Sequence, residues 1–195
     1  MKGSCLIPCY FIDSTQYISP FMHKKGMFKM NKNLHFLGRS GILEQDGIRI
    51  AYVSGKDSEI LGPSISSNLS PSLEYMSNYF CQADIATLMT EKPVDILLCC
   101  QYPVGVFNIP NADFLTRSSS SLSILVHKLS PRYVYCATDL ECQESETFLN
   151  ERGCLTRCIT LANLLGSYKK PKESTMPYIK AIEISTEFND EIQGV

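Results

Sequence analysis

An almost unbroken apolar run at residues 94–99, interrupted only by Asp95, constrains the fold of this 195-residue chain more than any other feature. Such runs are typical of strands that are covered on both faces, as in parallel sheets. Ligands of layered α/β proteins bind in the loops that leave these strands, so the turn that follows is a candidate site. Its side chains are those of Cys100, Gln101 and Tyr102. A purely structural turn is the alternative interpretation, and the residues alone leave both open.

The remaining segments alternate between strand and helix signals. An Asp-Gly pair at residues 46–47 predicts a hairpin, because it tolerates the positive φ of a tight turn. A Ser-Pro pair at residues 70–71 predicts a helix that runs to about Thr90. Serines at residues 118–121 predict the cap of a second helix, which Pro131 ends. Further strands are predicted at residues 6–12, 34–37, 41–44, 48–54, 133–137, 155–162 and 178–185. This order predicts an α/β fold with sheets in the middle and helices outside.

The charge balance gives no global case for binding a phosphate backbone. The formal net charge is −2, and the chain length fits one domain with a sizeable core. Lysines cluster only locally, at residues 24–25 and 169–172. Such clusters are typical of solvated loops, with a local nucleic-acid contact as the alternative.

Nine cysteines raise the question of disulfides or zinc. We expect neither a signal peptide nor a membrane span, because no long apolar segment occurs, and the expected compartment is therefore reducing. No C-x2-C pair is present, so a structural zinc site is not expected. Cysteines within apolar segments are expected to be buried free thiols. They are Cys99, Cys100, Cys136 and Cys158.

Several segments, in matching order, resemble the amino-terminal domain of the Cwf-nineteen-like (CwfJ-type) spliceosome-associated proteins, which is related to lariat debranching enzyme. The resemblance rests on Val-Asp-Ile-Leu-Leu at residues 94–98 with Tyr-Pro-Val-Gly-Val at 102–106, and on residues 37–41 with 47–55, 131–137 and 156–163. Together these segments span roughly residues 7 to 185.

The resemblance implies a partial metallophosphoesterase-like β-sandwich flanked by helices, a four-layer fold that is incomplete here. The family's domain opens with one strand leading to a Gly-Asp loop and another leading to a Gly-Asn loop. Neither loop occurs in this sequence. We therefore expect residues 1–186 to be the carboxy-terminal portion of an amino-terminally truncated domain, with an acidic tail at residues 187–195.

The resemblance also locates the positions at which binuclear phosphoesterases hold metal ions with Asp, Asn and His. The Gly-Asn-His position holds Ser14, Thr15 and Gln16, the Ser-His-Asp position holds Cys99, Cys100 and Gln101, and the His-x-His position holds Thr138, Asp139 and Leu140. We accordingly expect no metal, no other cofactor and no catalytic residue.

One candidate binding surface remains, because loops that leave the same ends of parallel strands converge. We expect it to be contiguous and to bind protein or RNA without chemistry. Its members are Cys100, Gln101, Tyr102, Gly105, Arg132, Thr138 and Asp139. Two of them have structural alternatives: the Arg132 guanidinium suits loop carbonyls as well as phosphate, and the Tyr102 ring can pack under the turn instead of stacking on a base.

The resemblance implies a function that the residues alone do not. It implies a non-catalytic interaction module of the nucleus, acting in the late spliceosome and intron-lariat turnover and assisting RNA lariat debranching. The implied partners are spliceosomal proteins and lariat debranching enzyme, with RNA as a further candidate and no membrane. The alternative is an RNA phosphodiesterase or ribonuclease whose metal-binding amino-terminal part is missing from this chain.

Overall fold

Strands dominate the architecture, which we obtained as a computed structural model. The structure describes residues 6–18, 21, 26–58, 78–106, 118–137, 143–161 and 182–184. Its strands are β1 Cys9–Phe11, β2 Phe28–Lys29, β3 Leu34–Phe36, β4 Ser40–Gln45, β5 Ile48–Val53, β6 Lys56–Asp57, β7 Tyr79–Phe80, β8 Ile96–Cys99, β9 Tyr102–Pro103, β10 Ser118–Ser119, β11 Tyr133–Ala137, β12 Phe148–Leu149 and β13 Leu155–Leu161. Its helices are α1 Gln82–Ala86 and α2 Ser120–Leu129, with 3-10 turns at Gln16–Ile18 and Leu88–Thr90. The predicted fold class, a partial α/β sandwich, is confirmed, and the described residues form multiple sheets with few helices.

The central sheet has six strands in the order β12-β13-β11-β8-β5-β4. Strand β8 pairs in parallel with β5 and β11, and β13 runs parallel to β11, while β4 and β12 close the two sides in antiparallel pairing. Leu97 and Cys99 of β8 are fully buried, whereas Ile96 and Leu98 are half-buried. The predicted central parallel strand is therefore confirmed, but it is completely covered on one face only.

Helix α2 shares a buried cluster with this covered face. Its apolar positions are fully buried at Leu122, Leu125, Val126 and Leu129, and each such side chain contributes about 1.5–3 kcal/mol by leaving water. The helix ends where Ser130 adopts the left-handed conformation, with φ of 44°. The predicted second helix is confirmed, including its serine cap.

Free thiols complete the interior of the sheet. Cys99 and Cys136 lie opposite one another on β8 and β11, with their sulfur atoms 3.5 Å apart. Cys158 and Cys100 are buried as well, and none of the four cysteines forms a disulfide bond. The prediction of buried free thiols at these positions is confirmed.

The β4–β5 connection is the tight hairpin that the Asp-Gly pair predicts. Gln45 pairs with Ile48, and the two turn residues Asp46 and Gly47 have φ of 52° and 82°. Positive φ at both turn positions is the geometry of the type I′ turn, whose twist matches that of the flanking strands.

The predicted helix ending near Thr90 is confirmed only in its last part, where α1 and the 3-10 turn Leu88–Thr90 follow one another. It is wrong at Tyr79–Phe80, and residues 70–77 lie outside the described residues. Tyr79–Phe80 forms strand β7, which pairs in parallel with β6. Helix α1 starts only after Cys81, whose backbone N–H donates to Asp84 Oδ2 at 2.9 Å. Arg39 Nη1 also donates to the Tyr79 carbonyl at 2.7 Å. The apolar spacing of this segment fits a helix, but pairing with β6 and the bond from Arg39 make Tyr79–Phe80 a strand.

A smaller three-stranded sheet, in the order β1-β3-β2, carries its own apolar cluster around Ile18 and Phe36. The predicted strand at residues 178–185 and the tail at 187–195 fall outside the described residues, apart from residues 182–184, which form neither helix nor strand. Among the helices that the structure describes, none has the length and apolar character to cross a bilayer.

Candidate functional site

Three parallel-strand ends meet at one side of the molecule. The loops after β1, β5 and β8 contribute residues 13–15, 54–57 and 100–102, which we call the carboxyl edge. The Gly55 N–H donates to the Asp13 carbonyl at 2.9 Å, joining the small sheet to the large one. Asn78 Nδ2 donates to the Ser14 carbonyl at 3.2 Å, and the Lys56 N–H donates to the Asn78 carbonyl at 2.9 Å. Of the predicted surface, Cys100, Gln101 and Tyr102 lie at this edge.

The Cys100 thiol sits inside this edge with only 8% of the residue exposed. Burial raises the pKa of the Cys100 thiol to about 12, and hydrogen bonding with the Gly55 backbone and the Ser14 side chain opposes that rise only partly. A thiolate is the form of cysteine that binds metals and attacks electrophiles. Burial therefore disfavours the thiolate form of Cys100.

Gln101 anchors a chain of hydrogen bonds that reaches helix α2. Its Oε1 accepts from the Asp57 backbone N–H, and Asp57 Oδ2 accepts from Ser119 Oγ, each at 2.5 Å. Ser119 Oγ in turn accepts from the Leu122 N–H at 3.0 Å, which caps the helix. Gln101, Asp57 and Ser119 are all buried. These polar groups therefore bind one another and hold the loops together.

Tyr102 is 1% exposed and belongs to β9, which pairs in parallel with β10. Its ring packs inside the main core cluster, so the structural alternative describes it and a base cannot stack on it here. The exposed part of this turn is residues 104–106, where Val104 is 38% exposed and Gly105 adopts a φ of 81°.

Arg132 lies at the opposite end of the sheet, so the prediction that it shares one surface with Cys100 is wrong. Its N–H donates to the Asp95 carbonyl at 3.0 Å, before β8 begins, whereas Cys100 follows the end of β8. At about 3.3 Å per residue, the two positions are separated by roughly 15 Å along the strand. Arg132 precedes its strand, and strand starts and strand ends collect at opposite edges. Thr138 and Asp139 lie outside the described residues.

The described residues do not fit the hard metal ions that the resemblance implies. Thr15 Oγ1 already donates to Asp13 Oδ2 at 2.8 Å, Cys100 is a buried thiol, and Gln101 Oε1 accepts from the Asp57 N–H. Within the ranges that the structure covers, no group of three or more His, Cys, Asp or Glu side chains is placed to hold a metal ion. Hard divalent ions require carboxylate, amide or imidazole groups that converge on one point.

Sequence reasoning missed Asp57 and assigned Ser119 only a capping role. Asp57 lies four residues after the end of β5, and Gln101 lies two residues after the end of β8, so the same strand-end argument selects both loops. The loop composition of residues 56–70 obscured that signal. The contact between Asp57 and Ser119 has no sequence signal, because 62 residues separate them.

The parallel strand ends, the covering helix and the converging loops define a partial α/β sandwich with a closed carboxyl edge. The chain is similar to two curated proteins. It is 28% identical over 170 residues to the CWF19-like protein 1 homolog of Drosophila melanogaster, a match covering 78% of this chain and 28% of the fly protein. It is 24% identical over 178 residues to the lariat debranching enzyme of Arabidopsis thaliana, covering 80% of this chain and 40% of the plant enzyme.

The chain thus spans well under half the length of either curated relative. No family model matches it. These relatives agree with the resemblance found in the sequence, a Cwf-nineteen-like domain related to the debranching enzyme.

Proposed function

We propose that this chain is a non-catalytic interaction module that acts in the nucleus on late spliceosomal and intron-lariat complexes and assists lariat debranching. The relatives support the setting, since one is a CWF19-like protein and the other is named for lariat debranching. The observation that carries the non-catalytic part is the closed carboxyl edge. There, by resemblance, Cys100 and Gln101 replace the His and Asp of a metal-binding loop.

Hydrolysis of a phosphodiester by this class of fold needs metal ions that activate water and clamp phosphate oxygens. Burial raises the pKa of the Cys100 thiol to about 12, so the ionised form is disfavoured at pH 7. Gln101 and Asp57 are buried, and the Gln101 Oε1 accepts from the Asp57 N–H. The closed arrangement of these groups supports a binding role.

The partners proposed for this module are lariat debranching enzyme and spliceosomal proteins. Val104 and Gly105, in the turn that follows the carboxyl edge, face solvent. Val104 is 38% exposed there, beside a buried frame of Tyr102 and Ser119. A rigid frame under an exposed apolar residue suits a docking contact.

Two measurements test this proposal separately. The first is calorimetric titration of the purified chain with Mn²⁺ and Zn²⁺, with a phosphodiester turnover assay alongside it. We expect neither stoichiometric binding nor metal-dependent turnover. Both together would establish the phosphodiesterase alternative and overturn the non-catalytic assignment.

The second measurement is direct binding of purified lariat debranching enzyme to the immobilised chain. Val104→Asp should weaken that binding. Leu149→Asp is the matched control, since Leu149 is 65% exposed but pairs with Leu155 at the other end of the sheet. Absence of binding by the unaltered chain would refute the partnership, and equal loss in both variants would refute the docking position.

A further inference from the structure

The outward face of the small sheet carries a row of planar and cationic side chains. Strand pairing sets Tyr10 beside His35, and His35 beside Lys29, in a single cross-strand row. The next row is Phe11, Phe36 and Phe28, in the same strand order. Successive residues of a strand point to opposite faces. The phenylalanine row packs on the inner apolar cluster, so the Tyr10 row lies on the outer face.

The two rings of this row are stacked on each other. Their centroids lie 5.2 Å apart with an interplanar angle of 30°. Tyr10 is 40% exposed, His35 is half-buried, and Lys29 is exposed. Met27, two residues before Lys29 and 51% exposed, adds apolar surface at the margin. We call Tyr10, His35 and Lys29 the aromatic platform.

Charge is distributed unevenly along the sequence. The first 38 residues hold five lysines and one acidic residue, a net charge of +4, whereas the whole chain carries −2, so residues 39–195 carry −6. Lys29 on the platform and Lys32 in the following turn are both exposed. The global charge argument against phosphate binding therefore does not hold for the amino-terminal segment that carries the platform.

We propose that the aromatic platform binds single-stranded nucleic acid. Unpaired bases extend the Tyr10–His35 stack, while Lys29 and Lys32 contact backbone phosphates. Exposed aromatic rings on a sheet beside basic side chains are the combination by which single strands are held without sequence readout. A protein partner fits less well, because lysine is depleted in protein–protein interfaces. The inference is independent of the proposed function, since the platform belongs to β1, β2 and β3 and not to the carboxyl edge.

Fluorescence anisotropy with labelled oligo(U) and oligo(dT) of about ten nucleotides tests the proposal. Tyr10→Ala should raise the Kd about tenfold, since each base stack contributes appreciably to affinity. Tyr10→Phe keeps the ring and should bind within about twofold of the unaltered chain. Tyr17→Ala is the matched control, because Tyr17 is 90% exposed and lies on the 3-10 turn outside the platform.

Salt dependence tests the phosphate contacts separately. Replacing Lys29 and Lys32 with alanine should reduce the slope of log K against log salt by about 1.4, since each single-strand phosphate contact contributes about 0.7. Lys128→Ala, at an exposed position of α2, should leave the slope unchanged. Circular dichroism melts confirm that each variant folds.

Two results would overturn the assignment: no binding of either oligonucleotide by the unaltered chain at low salt, or equal weakening by Tyr10→Ala and Tyr17→Ala. Loss of binding to a spliceosomal protein by Tyr10→Ala, with oligonucleotide affinity unchanged, would make the face a protein interface instead.

Discussion

Ser119 is the position where a single hydroxyl group does most to hold the carboxyl edge together. Its Oγ accepts from the Leu122 N–H at 3.0 Å and donates to Asp57 Oδ2 at 2.5 Å. Both Ser119 and Asp57 are 2% exposed, so water cannot replace either bond. Ser119→Ala therefore removes a helix cap and a buried donor in one step.

The expected destabilisation follows from these two losses. Loss of a serine cap costs about 1 kcal/mol. Leaving a buried acceptor with one donor fewer costs about 1–3 kcal/mol. The free energy of unfolding should therefore fall by about 2–4 kcal/mol, a large fraction of the roughly 5–15 kcal/mol typical of a domain. For a chain of this length the melting temperature should fall by roughly 5–15 °C.

Urea denaturation followed by circular dichroism measures this change. Ser120→Ala, one residue along and exposed, is the matched control and should change stability by less than about 0.5 kcal/mol. In an Asp57→Ala background, Ser119→Ala should cost only the cap, about 1 kcal/mol. An equal cost in both backgrounds would refute the coupling between Asp57 and Ser119.

Three further perturbations test other parts of the structure. Gly41→Ala should cost about 1–3 kcal/mol, because its Cβ would lie 2.5 Å from the Tyr52 hydroxyl; an equal cost in a Tyr52→Phe background contradicts that steric reason. Gly47→Ala should cost about 1 kcal/mol in a thermal melt, because φ is 82° there; no loss argues against the tight hairpin. Burial raises the pKa of Cys100 and of Cys158 from 9.0 to about 12. The unfolded chain therefore loses these thiol protons at lower pH than the folded chain. The contribution of the two thiols to the free energy of unfolding is fully present below pH 9 and is lost as pH rises toward 12. By pH 10.5 the loss is about 2 kcal/mol per thiol. Denaturation under reducing conditions should show a smaller alkaline decline in Cys100→Ala, and a flat profile in the unaltered chain contradicts the burial argument.

Local patterns were sufficient for the elements whose signals lie within a few residues of one another. The β8 run, the Asp46-Gly47 hairpin and the capped helix α2 were all predicted, because strand propensity, turn φ values and helix periodicity act over short spans. The strand-end rule also selected the loop at Cys100, but not the loops that lie beside it. The ordered segments shared with the Cwf-nineteen-like proteins indicated the fold class.

Tertiary pairing decided the rest. Tyr79–Phe80 became a strand because β6 offered it a partner, which no helical spacing reveals. The register of β11 on β8 set Arg132 and Cys100 at opposite ends of the sheet. The bonds from Asp57 to Gln101 and Ser119 join residues 44 and 62 positions apart. Sequence reports which side chains the loops carry, but whether they face solvent or one another depends on contacts that form only when distant strands pair.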